Sequence, residues 1–78
     1  MDIKSIKELA QKFSADELAK FADEFESTGI APIPTQEDPG EQMSDYLMGA
    51  ELRSLLDQGL TMNEAVREFS KRVRGVLT

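Results

Sequence analysis

Apolar residues return along this chain at helical spacing four times, and each return is opened or closed by a residue suited to a helix end. Ile3, Ile6, Leu9, Ala10 and Phe13 share one stripe behind Asp2, a capping residue, which predicts a first helix over 3–12. Ser14-Ala15-Asp16-Glu17 then has the form of a capping box, in which the hydroxyl accepts from an orphan backbone N–H and the Glu reaches back to the cap. A second helix is expected over 15–27, with Leu18, Phe21, Ala22 and Phe25 inward and Asp16, Lys20, Asp23 and Glu24 outside. Gly29 follows as a left-handed terminator.

Residues 30–38 break the period. Pro32 and Pro34, with Pro39 close behind, fit an extended run over the surface, and Ile30 and Ile33 are apolar enough to pin it against the helices. Asp38-Pro39 reads as N-cap and first helical residue, and Glu37 and Glu41 bring negative charge to the positive end of the helix dipole.

The third helix, expected over 39–58, changes face along its length. Met43, Tyr46, Leu47 and Ala50 share one side, whereas Met48, Leu52, Leu55 and Leu56 lie about half a turn away. Gly49 stands where the two patterns meet, so the helix is either covered on both sides or bent there. A single helical glycine costs only about 1 kcal/mol, which favours a continuous, central helix.

Gly59 closes that helix, and a second capping box, Thr61-Met62-Asn63-Glu64, opens a fourth over 62–76. Met62, Ala65, Val66, Phe69, Val73 and Val76 form its inner stripe, and Arg67, Lys71 and Arg74 repeat on the opposite face. The two boxes share capping grammar rather than a duplicated unit, because the similarity stops after Lys20 and Arg67. The expectation is an all-α fold: a small single-domain bundle of four helices, with a proline-containing loop between the second and third.

Composition narrows the chemistry. With 78 residues there is room for one modest core, burying roughly 60–65% of the surface an unfolded chain exposes. The absence of cysteine excludes disulfides, thiolate metal sites and Cys nucleophiles, and the absence of histidine removes the commonest general base and metal ligand. No apolar stretch approaches the roughly 20 residues of a membrane span, and the N-terminus lacks an apolar signal region. A cytoplasmic address is the expectation.

The formal net charge is -6, unevenly placed. Residues 1–61 carry thirteen acids and five bases, a net of -8, whereas residues 62–78 carry two acids and four bases, a net of +2. An acidic body thus bears a basic last helix.

Any catalysis would fall to carboxylates, lysines, Tyr46 or serines, and Ser14, the best placed serine, reads as a cap. Glu37, Asp38, Glu41 and Asp45 cluster near the start of the third helix, but they lack the Asp/Asn register and glycine of a calcium loop and the Glu-x-x-His of a bundle di-iron site. A solvated helix start is expected there, with no metal, no cofactor, no small-molecule substrate and no enzyme activity. Residues 52–73 suit a helix-turn-helix poorly, because Leu55 stands where a small residue belongs, Gln58 and Glu68 stand where apolar ones do, and Glu64 repels phosphate.

What remains is surface. Arg67, Lys71, Arg72 and Arg74 form a candidate docking stripe for an acidic protein partner, including the acidic body of a second copy. A solvated face whose cations offset the helix dipole and pair with Glu64 or Glu68 accounts for the same residues. Met48, Met62 and Tyr46 add an adaptable apolar patch if the third helix is incompletely covered. The expected function is a small non-catalytic protein–protein interaction module, with a homodimer as one form of it. The alternative is a small nucleic-acid-binding regulator using the basic last helix.

Overall fold

In the computed structural model, which describes the backbone of residues 2–77 and side chains as far as Arg74, the expected helix starts are made by the expected side chains. α1 (Ile3–Lys12) opens on Asp2, whose Oδ1 accepts from the Lys4 amide at 3.1 Å. α2 (Ala15–Thr28) opens on a complete capping box: the Glu17 amide donates to Ser14 Oγ at 3.1 Å and the Ser14 amide to Glu17 Oε1 at 2.9 Å. α3 (Pro39–Asp57) opens on Asp38, which accepts from the Glu41 amide at 2.9 Å. α4 (Met62–Leu77) opens on the Thr61–Glu64 box, with bonds of 3.2 and 2.9 Å. Caps of this kind each contribute about 1 kcal/mol. The helix ends fall within one residue of those expected from the periodicity.

The helix stops are of two kinds. α2 ends on Gly29 at φ +74°, and Gly59 at φ +99° follows the end of α3, both left-handed positions that a side chain would strain. α1 has no glycine after it. Instead, Arg53 of α3 donates Nη1 to the carbonyls of Ala10 and Phe13, at 3.1 and 3.0 Å, while its Nε holds Asp57 at 3.0 Å. A cation from a distant helix therefore serves the negative end of α1.

α3 runs unbroken through Gly49, which settles its geometry in favour of the central helix. A Cβ at Gly49 would lie 3.3 Å from Leu9 Cβ and 3.4 Å from Leu18 Cδ1, so the missing side chain lets α1 and α2 close on α3. On one side Leu9, Leu18, Ala22 and Tyr46 make a buried cluster, bordered by Phe13, Phe21, Phe25, Ile33 and Met43. On the other, Ile6, Ala10, Leu52, Leu55, Ala65 and Phe69 make a second, with Met48, Leu56, Met62 and Val73 against it. The switch of face in the sequence is thus two cores sharing one helix.

Three apolar assignments need correction. Leu47, placed by its period with Tyr46, is 55% exposed, because stepping one residue along a helix turns it roughly 100° further, past the edge of the covered arc. Ile30 is 73% exposed and pins nothing, whereas Ile33 does pack against the Tyr46 cluster. Tyr46 is fully buried and Met62 packs against the other core, so of the expected patch only Met48 lies beside an opening. Val76 lies outside the residues whose side chains are described.

Candidate functional site

The loop 30–38 has no helix or strand to satisfy its amides, and buried amides must find partners. Side chains one helical turn apart on α3 supply them. Tyr46 Oη accepts from the Ile33 amide at 3.1 Å and donates to the Ile33 carbonyl at 2.7 Å. Gln42 Oε1 accepts from the amides of Thr35 and Gln36, at 2.7 and 3.1 Å, and its Nε2 donates to Thr35 Oγ1 at 2.9 Å. Asp45 Oδ2 accepts from Thr35 Oγ1 at 2.7 Å and from Gln36 Nε2 at 3.1 Å, and Gln36 also reaches Asp2 at 3.2 Å. Gln42 and Asp45 are each only 1% exposed, and among the described residues no buried side-chain polar atom lacks a partner. This is a closed latch: every polar side chain in it takes part in holding the loop.

The shifted proton affinities fit structural bonds as well. The Ser5 hydroxyl, and next the Gln36 amide, hold the Asp2 carboxyl below its ordinary value of 3.8. The Thr61 amide, and next its hydroxyl, do the same for Glu64, below 4.5. Burial raises the Tyr46 hydroxyl above 10.0. Among the described residues no group of three or more acidic side chains is placed to hold a metal ion. Asp38 and Asp45, from the acidic cluster of the sequence, are taken up by a helix cap and by the latch.

The opposite flank of α3 is open. Between α3 and the later turns of α4 lies a cavity of about 280 Å³, lined by Leu47, Met48, Phe69 and Val73, with Glu51 and Arg72 at its lip. Arg72 Nη1 donates to Glu51 Oε1 across the two helices, and Arg72 Nε stands 3.7 Å from Glu68. Both members of the cross-helix pair are nearly half exposed. A second recess, of about 360 Å³ and more enclosed, lies between α1 and the loop, lined by Glu8, Leu9, Lys12, Phe13, Ile33, Pro34 and Thr35, so part of its lining belongs to the core and the latch.

The four cations singled out in α4 do not lie on one face. Arg72 is drawn to the groove lip, whereas Arg67, Lys71 and Arg74 are exposed and turn to the side of α4 roughly opposite Phe69. Arg67 acts electrostatically on Glu64, Arg74 Nε donates to the Ser70 carbonyl at 3.5 Å, and Lys71 has no partner among the described residues. The residues that pattern reading missed are Leu47, Gln42 and Arg53. Leu47 was findable by adding the two covered arcs of α3 and noting that it falls in the gap between them. The partners of Gln42 and Arg53 lie in other elements, which no helical period reports.

Among the described residues no helix is long and apolar enough to cross a membrane. No curated protein and no solved structure matches the chain. Along residues 1–78 it matches a family of unknown function, DUF6952, and it belongs to that family.

Proposed function

We propose that the chain is a small, non-catalytic protein–protein interaction module of the cytoplasm, docking through the α3–α4 groove with Arg72 at its lip. The observation that carries this reading is Leu47. A leucine left 55% exposed on the central helix, beside a recess floored by Met48, Phe69 and Val73, is apolar surface that a 78-residue chain with a small core could have used internally. The polar groups of the molecule support the same reading, since the buried ones, Gln42 and Asp45, are bound up in the latch.

Affinity capture from a lysate of the source organism tests it, comparing wild type with Leu47→Asp and with Arg67, Lys71 and Arg74 all changed to Glu. A protein retained by wild type and lost by Leu47→Asp is expected; identical catches from variants that remain folded would contradict the reading. A second reading, a nucleic-acid regulator, draws on the outward Arg67, Lys71 and Arg74. Anisotropy titration against duplex DNA separates the two, because phosphate contacts by three cations require affinity that falls as salt rises, and no binding at low salt removes this alternative.

A further inference from the structure

We infer that the occupant of the α3–α4 groove is a second copy of this chain, docked about a two-fold axis so that Leu47 of each copy enters the groove of the other. The inference rests on the docking reading above and names its partner. The first reason is shape. A two-fold interface requires a surface complementary to itself, and here a protruding apolar side chain and an apolar recess of about 280 Å³ lie on the same face, with Leu47 forming one wall of the recess it would fill in its neighbour.

The second reason is charge. The chain carries -6 overall, so most faces bring like charges together when two copies meet. The groove lip instead carries both signs, with Arg72 standing between Glu51 and Glu68. Under a two-fold operation Glu51 of one copy meets Arg72 of the other, and the pair already formed within each chain is extended into a four-membered set of alternating sign. An acidic helix from elsewhere gains nothing comparable at this site. The cations that would attract it, Arg67, Lys71 and Arg74, turn to the far side of α4, and Arg72 is already held between Glu51 and Glu68.

A contact centred on a recess of about 280 Å³ is modest beside the roughly 800 Å² per partner of a stable complex, so weak self-association is expected and its measurement must span about 1 μM to 1 mM. Analytical ultracentrifugation over that range is the test, on wild type, Leu47→Asp, Glu51→Arg, Arg72→Glu and a one-to-one mixture of the last two, with circular dichroism to verify folding. Wild type is expected to dimerise, and Leu47→Asp to weaken the dimer tenfold or more. Each charge variant alone is expected to associate poorly, because its lip holds two like charges. Their mixture is expected to recover the dimer as a mixed species, since each lip then faces the opposite sign. That recovery is something an ion pair acting only within one chain cannot produce.

A wild type that stays monomeric throughout overturns the inference, as does a Leu47→Asp variant that dimerises as tightly as wild type. Charge variants that weaken singly and do not recover on mixing overturn the two-fold pairing. A monomeric wild type that nevertheless captures another protein in a Leu47-dependent manner removes the second copy and leaves the interaction module standing. A monomeric wild type with no such capture removes both.

Discussion

α3 meets its neighbours in two ways. On the flank facing α2 and the proline-containing loop, the junction is sealed by hydrogen bonds: Tyr46, Gln42 and Asp45 together hold Ile33, Thr35 and Gln36. On the flank facing α4, contact is apolar apart from the half-exposed Arg72–Glu51 pair, and the helices leave a recess beside Leu47. The difference follows from what each neighbour brings. A helix has satisfied its own backbone and needs only apolar packing, which tolerates an opening. A loop arrives with unpaired amides, and every one that is buried demands a directed partner, so the loop is tied to α3 by side-chain hydrogen bonds even where it borders a recess with α1. The flank that is costly to leave unsatisfied is structural, and the flank free of that demand is the one proposed for docking.

The largest effect that would test this division is expected from Tyr46→Ala, which empties an aromatic site and releases Ile33. Its ring also packs against Phe21 and Phe25, at centroid distances of 6.0 and 6.3 Å. A loss of about 3–5 kcal/mol in urea denaturation is expected, a large share of the stability of so small a domain. Gln42→Ala keeps the ring and removes only the bonds to Thr35 and Gln36; a loss of about 1–3 kcal/mol is expected, with faster hydrogen exchange at those two amides. If Gln42→Ala were neutral, the loop would be held by its apolar contacts and the contrast between the flanks would fail.

Titration sharpens the contrast next. Asp2 and Glu64 have lowered native values, so their contribution is complete above their unfolded values near 3.8 and 4.5 and is lost as pH falls below these. One sits on the latch side and one at the start of α4, so Asp2→Asn and Glu64→Gln should each remove part of the acid-side slope. Tyr46 has a raised value, so stability should fall as pH rises beyond 10.0. Tyr46→Phe should abolish that tyrosine contribution without touching the acid side. The smallest effect on folding is expected from Leu47→Asp, within about 0.5 kcal/mol at low protein concentration, as for other exposed positions. A loss as large as that of Gln42→Ala would make Leu47 part of the core.

The helices and their starts were legible because their causes are local. A capping box spans four residues, and a stripe of apolar positions is visible within one segment, so Ser14, Thr61 and Asp38 announce themselves. The latch was not legible, because Gln42 is a neutral side chain inside a helix whose partners are backbone amides six and seven residues earlier. Asp45, spaced four from Glu41, reads as solvated until the loop folds over it. Arg53 ends α1 from 40 and 43 residues away. The candidate surface was half legible: Met48 and Arg72 belong to the groove, whereas Arg67, Lys71 and Arg74 face away from it and Tyr46 is buried. Periodicity reports how each helix divides inside from outside, and a groove between two helices depends on how far they diverge.

The most direct test of the division between a sealed flank and a docking flank is the melting temperature of wild type and of Leu47→Asp as a function of protein concentration. A folded dimer draws the equilibrium from the unfolded chain by mass action, so wild type should melt higher as concentration rises. Leu47→Asp should melt at one temperature throughout and meet wild type at high dilution. A wild-type midpoint independent of concentration, or a Leu47→Asp series that rises in parallel with it, would contradict the assignment of the α3–α4 flank to binding.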